Sequence, residues 1–481
     1  MPKFIFDLSS KTKPYPHQLE AVEFIRGKEY IPLFDEQGLG KTKIVIDSVL
    51  KDIEDGYIDG TLIICKKYLI PTWEEEILKH SHLKPIILKG TSKELGQKFL
   101  AFSYFYIINY DAIFSEKERL KMFLKLRNMA IVLDESQRIK NPEGIATKAI
   151  NEIKNFSKKR IIITGTPIAN KPVDIWSQFY FLDGGKLLGD NFEDFKKKYD
   201  IDLREEIPLS ERTKILESLR DIINNVSIRR LKADVLELPE KKFEDAYVQL
   251  KGKQLEIYTK LKDELILEIE SLEGNKIIDE SSNILKKLLR LTQIASNPKL
   301  VIPEFEETPI KFLELDKLLE KLLNSNEKVI VWSSFNGNIR TLKNRYAKYG
   351  ASMLFGEIPI DDRKKIVNNF QKQAENKIII ANPAAAKEGL TLTAANNAIY
   401  IDRNFNLVDY LQSQDRIHRI SQTKTCKIIK IQAKDTIDEY IDEILYKKQK
   451  IAQFLQGDLE QIPDEKEFLT KSEILYILGK S

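Results

Sequence analysis

Residues 35–42 read Asp35-Glu36-Gln37-Gly38-Leu39-Gly40-Lys41-Thr42, after the apolar run Ile31–Phe34 and before the amphipathic stretch KTKIVIDSVLKDIED. Strand, glycine turn and helix in that order form the setting in which backbone N–H groups and a helix N-terminus hold phosphate. Gly38 and Gly40, with Leu39 between them, let the backbone approach phosphate oxygens. Lys41 offers a point charge to the outer phosphates and Thr42 a hydroxyl to magnesium. Asp35 stands where the usual GxxxxGK[ST] pattern has its first glycine. Taken alone, the turn could equally be a plain strand-to-helix connection, with Gly56 as the left-handed stop of the helix.

A second stretch, MAIVLDESQ, places Asp134 and Glu135 at the end of a buried strand. An acid there can hold magnesium through its waters (Asp134), and its neighbour can orient water and take its proton (Glu135). The alternative is a solvated acidic turn, common for an isolated acid pair. Farther on, ITGTP at 163–167 offers the hydroxyls of Thr164 and Thr166, or simply a turn forced by Gly165 and Pro167.

Working outward, short β-branched runs alternate with longer amphipathic ones, as in parallel α/β sheets. The first series is Ile31–Phe34, Leu62–Cys65, Tyr104–Ile108, Ala130–Leu133 and Arg160–Ile163. The second is Val329–Trp332, Ser352–Leu354, Lys377–Ile380, Ala398–Ile401 and Lys427–Ile431. Between them, over roughly 205–310, strand signals vanish and ILESLRDIINN and LEIYTKLKDELILEIESLE carry helical spacing. Thr436 and Glu439 have capping-box spacing, so a last helix is expected from there through Lys450.

The 481 residues, 42% of them hydrophobic, exceed one ordinary core and exclude a disordered or fibrous chain. Two cysteines, Cys65 and Cys426, make no disulfide framework and no zinc spacing. The N-terminus lacks a signal peptide, and the longest uncharged run, Gly389–Ile401, is too short and polar to span a bilayer. A soluble cytoplasmic protein is expected. A net charge of +4 permits nucleic acid without arguing for it.

The order of motifs resembles the superfamily-two helicase-like ATPases, and within them the sucrose-non-fermenting (Snf/Swi) group of DNA translocases. The likeness is carried by YPHQLEAVEFI at 15–25, DEQGLGKT, LIICKKYLIPTWEEE at 62–76, DESQRIKNP at 134–142 and ITGTPIAN at 163–170. It continues through IRRLKADVLELPEK at 228–241, LTQIASNP at 291–298, WSSF at 332–335 and QSQDRIHRISQ at 412–422. The resemblance implies an α/β protein of two RecA-like doubly wound lobes with a helical insertion between them and a C-terminal helix. Expected limits are 1–205 for lobe one, 206–310 for the insertion, 311–434 for lobe two and 435–481 for a brace helix and tail.

By the same resemblance, Gln18 reads adenine, Arg416 and Arg419 are arginine fingers for the outer phosphate, and Gln412 and Gln422 support them. Lys41, Asp134, Glu135, Arg416 and Arg419 are then the catalytic set, with ATP and magnesium as ligands. Lys66, Lys67, Asn109 and Tyr110 are expected on DNA-facing loops of lobe one, and Ser333, Ser334, Gly389, Leu390 and Thr391 on those of lobe two. Each has a plainer reading as a solvated or capping residue. Trp73, Trp176 and Trp332 read as packing. NPAAAKEGLTLT at 382–393 departs from the family, which carries a glycine pair there, and Ser421 stands where glycine is usual. The implied activity is ATP-driven movement along double-stranded DNA by sequence-independent backbone contacts. A compact prokaryotic, viral or mobile-element enzyme is expected, monomeric, with partner proteins for targeting. The alternatives are a strand-separating helicase, an RNA helicase, or a non-enzymatic scaffold.

Overall fold

The computed structural model describes residues 6–200, 208–271, 276–388 and 390–461. Two compact units emerge, one from the chain up to Glu237 and again from Lys450, the other from Leu238–Gln449.

In the first unit six strands lie parallel: β1 (Tyr30–Leu33), β2 (Gly60–Cys65), β3 (Ile86–Ile87), β4 (Phe105–Asn109), β5 (Met129–Asp134) and β6 (Lys159–Ile163). Their order is β1-β6-β5-β2-β4-β3. The chain first steps outward across the sheet and then returns, so right-handed crossovers put helices on both faces. This is why β2, GTLIIC, is buried at every position rather than at alternate ones. One face packs Ile44, Val45 and Val49 of the helix Lys41–Glu54 and Trp73 and Ile77 of the helix Ile70–His80 against Ile63, Ile107 and Val132. Each fully buried aliphatic or aromatic side chain contributes about 1.5–3 kcal/mol. Beyond β1 the chain returns at Ile228, which bridges Leu33 in parallel, and Phe34 N–H donates to its carbonyl at 2.9 Å.

The second unit holds β7 (Lys241–Val248), β8 (Val329–Trp332), β9 (Ser352–Leu354), β10 (Ile378–Ala381), β11 (Asn397–Tyr400) and β12 (Cys426–Ala433). All are parallel, in the order β7-β12-β11-β8-β10-β9. Phe312, Leu315 and Leu319 of the helix Ile310–Asn324 fill its core with Val329, Val331, Ile378 and Ile399.

Every strand expected from the sequence occurs, with small shifts at its ends. β3 and β7 were not expected. β7 corrects the reading of 205–310 as free of strands. Its sequence, KKFEDAYV, is mostly exposed at the sheet edge, and only Ala246 and Val248 reach the core. What holds it is an in-register ladder from Lys241↔Cys426 to Val248↔Ala433, which no local periodicity announces. Its long helices are Leu209–Val226 in the first unit and Gly252–Ser271 and Lys276–Ser296 in the second.

The last helix, Ile437–Leu455, begins where expected and runs past Lys450. Its start is a variant of the capping box. Thr436 Oγ1 accepts from Asp438 N–H at 3.3 Å, while the Glu439 carboxylate accepts from Asp435 N–H at 3.1 Å. Cys65 and Cys426 are buried free thiols. Among the described residues no helix is long and apolar enough to cross a membrane.

Candidate nucleotide site and nucleic-acid-facing loops

Leu33, Ile163 and Asp134 stand side by side in the register of β1, β6 and β5. The turn after β1, the Thr-Gly-Thr turn after β6 and the acids after β5 therefore share one edge of the sheet. The glycine turn and the acids are separated by one strand, so they lie about 10 Å apart at the backbone.

The turn adopts the expected form. Gly38 and Gly40 have φ of 91° and 80°, a region that side chains rarely enter, and Gly40 caps the helix Lys41–Glu54. A Cβ on Gly40 would lie 2.3 Å from Gln18 Nε2. That amide donates to the Leu39 carbonyl at 3.2 Å, beside a similar bond from His17 Nε2 at 3.1 Å, while Gln18 Oε1 accepts from Tyr15 N–H at 3.0 Å. Gln18 thus caps its own helix and braces the turn; His17 does the second and was not singled out in the sequence.

Lys41 Nζ donates to the carbonyls of Asp35 (2.7 Å) and Glu36 (3.1 Å). Burial lowers its pKa, and the nearby carboxylates of Asp35, Glu135 and Asp134 oppose that. A half-buried ammonium held by neutral carbonyls is a cation that an incoming anion satisfies better, so the residues fit a phosphate chain.

Across the edge, Asp134 Oδ2 accepts from the Trp73 indole at 2.8 Å and its carbonyl from Tyr110 Oη at 2.9 Å. Burial, and Glu135 beside it, push the Asp134 carboxyl up to about 6. Glu135 itself has a left-handed backbone, φ 53°, and accepts from Gln137 Nε2. Ser136 Oγ donates to Gln178 Oε1 at 2.7 Å, and Gln178 Nε2 donates to the Pro167 carbonyl at 2.7 Å. One buried glutamine on the helix Trp176–Asp183 so ties the acid turn to the Thr-Gly-Thr turn. Thr164 Oγ1 accepts from Thr166 N–H at 3.0 Å; Thr166 Oγ1 is buried with no hydrogen-bond partner among the described residues. Among the described residues no cluster of three or more histidine, cysteine or carboxylate groups could hold a metal. The donor set of Thr42 and Asp134 fits a magnesium ion that arrives with phosphate oxygens of its own.

The segment after Ile228 contributes a group of contacts that no reading of local spacing assigned. Arg230 pairs with the Asp35 carboxylate through Nε (3.1 Å) and Nη2 and reaches the His17 carbonyl. Lys232 N–H donates to Glu36 Oε2 at 2.7 Å, and its ammonium lies 3.5 Å from Oε1. These residues belong to IRRLKADV, quoted above for the family resemblance, but nothing in that run points to two acids about two hundred residues earlier.

In the second unit Arg416 and Arg419 lie in the turn after the helix Leu407–Gln414. Arg416 Nε donates to the Gln412 carbonyl at 3.0 Å; Arg419 donates to the Asp415 carbonyl (3.0 Å) and Thr391 Oγ1 (3.1 Å). Burial, and Arg416 beside it, push the Arg419 guanidinium down to about 9, so it keeps its charge at neutral pH. Gln422 Nε2 reaches the carbonyls of Ala395 (2.9 Å) and Ile417 (3.0 Å), stitching the turn to the segment that leads into β11. Ser421 bonds Thr393 through the hydroxyls at 2.9 Å.

The loop residues expected to face DNA divide. Lys67 is exposed and Lys66 half-buried beside the short turn Lys67–Leu69. Asn109 Oδ1 caps the next turn, accepting from Ala112 N–H at 3.0 Å. Tyr110 is only 2% exposed, its hydroxyl spent on Asp134, so its side chain offers nothing to a ligand outside. Ser333 is fully buried as well. With Ser296 Oγ (2.9 Å), Ser334 N–H (2.6 Å) and Asn338 Nδ2 (3.1 Å), its hydroxyl (2.7 Å) donates to the Asp402 carboxylate. These two expectations are corrected for the side chains: a polar group at a strand end can point inward when a buried acceptor waits there. Ser334, Leu390 and Thr391 are half-buried, and Gly389 lies outside the described residues. Trp73, Trp176 and Trp332 are all buried, as read.

The SNF2-related domain model matches residues 17–300 and the helicase conserved C-terminal domain model residues 311–421. The chain belongs to the SNF2-related family. It is 30% identical over 468 residues to an ATP-dependent helicase of Mycoplasma pneumoniae, covering 93% of this chain and 43% of that one. It is 27% identical to the ISWI chromatin-remodeling complex ATPase ISW1 of Saccharomyces cerevisiae, over 92% of this chain and 40% of that one. A solved Sulfolobus solfataricus SWI2/SNF2 ATPase core in complex with dsDNA is similar at 27% identity, with 98% of each chain covered and a TM-score of 0.44. The chain spans less than half the length of these curated relatives.

Proposed function

We propose that the chain hydrolyses ATP and uses the cycle to move along double-stranded DNA. The observation that carries this reading is the single sheet edge on which the Lys41 turn, the Thr164 turn and Asp134–Glu135 are set in register, in a chain of the SNF2-related family. The N–H groups of Gly38, Leu39 and Gly40 and the Lys41 ammonium bind the phosphates. Thr42 and Asp134 hold magnesium, which neutralises phosphate charge when bound. Glu135 orients the attacking water and accepts its proton at the carboxylate. Gln18 and Gln412 belong to the nucleotide-binding set on family resemblance, as do Arg416 and Arg419 in the role of charge-neutralising arginines. Lys66, Lys67, Asn109, Ser334, Leu390 and Thr391 are assigned to sugar-phosphate contacts, and the two compact units to the two motor lobes. Cytoplasmic location, a monomeric state and protein partners for targeting are part of the same proposal.

The test is the steady-state ATPase rate without nucleic acid and with duplex DNA, single-stranded DNA or RNA at one salt concentration. Stimulation by duplex alone, followed by triplex displacement, supports a double-strand translocase. Stimulation by single strands or RNA gives the strand-separating reading, and the absence of hydrolysis under every condition removes the enzyme.

A further inference from the structure

Arg229 places one guanidinium where two parts of the proposed nucleotide site meet. Its Nη1 donates to the Phe34 carbonyl at 2.6 Å and to the Gly165 carbonyl at 3.2 Å. Phe34 leads into the glycine turn and Gly165 is the centre of the Thr-Gly-Thr turn, so a rigid planar fork fixes the spacing of both. The other side of the fork is closed by Asp458, 229 residues away, through Nε (2.9 Å) and Nη2 (2.6 Å). Both partners are largely buried, their side chains 14% and 8% exposed.

Asp458 is itself well placed. Its N–H donates to the Gln453 carbonyl at 2.8 Å, and Arg220 lies over the Phe454 ring at 4.8 Å. Phe454 is fully buried, and Gly457 sits against Asn224. The segment from Lys450 thus docks on the helix Leu209–Val226 of the same unit.

We propose that Arg229 is a positioning residue for the nucleotide turn and that Asp458 sets its guanidinium, which makes the segment after Lys450 part of the nucleotide-binding apparatus of the first unit. This rests on the ATPase reading above. Lysine at 229 keeps the charge but cannot span both carbonyls and the carboxylate. Asparagine at 458 leaves the arginine in place but unfastened. Either change loosens the turn without removing a phosphate-binding charge.

The experiment uses the full chain with R229K, D458N, the double variant, D458E and, as a packing control, F123L, a buried position on the helix Ile113–Lys125 of the same unit. Readouts are kcat and KM for ATP with saturating duplex DNA, the Kd of a non-hydrolysable ATP analogue, and the melting temperature. R229K and D458N should each lower kcat about tenfold with KM and Kd within about threefold, since misplacement of the reacting groups costs rate more than binding. The double variant should fall no further than the worse single, because both remove one interaction. D458E should recover most of the rate, and F123L should lower the melting temperature while leaving kcat unchanged. Losses that multiply in the double variant, or an F123L rate as low as that of D458N, would overturn the proposal. If the unaltered chain neither binds the analogue nor hydrolyses ATP, the ATPase reading falls and this one with it. If it turns over and D458N matches it, only the role of Asp458 and Arg229 falls.

Discussion

Asp35 and Arg230, 195 residues apart in sequence, form a two-point ion pair whose carboxylate is completely buried. The pair gives a physical reason for an acid at the position where many phosphate-binding turns have glycine. A glycine at 35 would leave Arg230 half-enclosed with one acceptor fewer and detach the 228–232 segment from the turn.

Asp35→Ala should therefore destabilise the first unit by about 3–5 kcal/mol, the cost of orphaning one member of a buried pair. Urea unfolding measures it. Adding Arg230→Met should recover part of the loss; a fully additive double variant would show that the pair is not coupled.

Gly40→Ala meets two obstacles, a left-handed backbone and the Gln18 amide 2.3 Å from the new Cβ. Gly56→Ala meets only the first, at φ 70° with open space around it. Both should cost about 1 kcal/mol in backbone strain. Only the change at 40 should also weaken nucleotide binding, by about tenfold or more, because it displaces the Gln18 brace from the turn. Equal nucleotide affinities in a titration of the two variants would contradict this.

Asp134, with its pKa raised to about 6, supplies a pH dependence with a definite sign. In the proposed site magnesium binding needs the carboxylate, so kcat/KM, which reports the free enzyme, should fall as pH drops through about 6. Stability runs the other way. A carboxyl whose folded pKa is raised favours the protonated folded state, and that contribution fades as pH rises from the unfolded value through the folded one. Asp134→Asn should be inactive, yet melt above the unaltered chain at neutral pH, with the gap closing toward about pH 4. Melting curves across that range decide the point.

Asp402 accepts four hydrogen bonds in the second unit, and burial raises its pKa against them. Asp402→Ala strands the Ser296, Ser333 and Asn338 donors and the Ser334 N–H. A loss of about 2–4 kcal/mol is expected, visible as a lowered denaturant midpoint. Because the network anchors the loop after β8, DNA stimulation of the ATPase should weaken in the same variant, while basal turnover changes less.

The strands and the glycine turn were legible because they are local. β-branched runs such as Leu62–Cys65 announce buried strands, and a turn rich in glycine before an amphipathic helix needs nothing distant to be recognised. The contacts made by Arg229, Arg230 and Lys232 were not legible, since their partners lie about two hundred residues away in sequence. Tyr110 and Ser333 mislead for a related reason. A hydroxyl at a strand end reads the same whether it faces solvent or, as here, a buried acceptor at or just beyond the end of another strand. β7 hides because backbone pairing with β12, rather than an apolar face, holds it. The capping pattern at Thr436 shows the limit of a local motif: it marks the helix start and both acceptors correctly but misassigns both donors, which are Asp438 N–H and Asp435 N–H.

The return of the segment after Lys450 to the first unit has a consequence for biosynthesis. A ribosome delivers the glycine turn early and Asp458 late, with all of Leu238–Gln449 emerging between them. The nascent first unit must wait, with Arg229 lacking its carboxylate, until the second has been synthesised. A chain interrupted before Asp458 is thus left with one side of the Arg229 fork unpaired, so that the first unit is finished only after the second has been made.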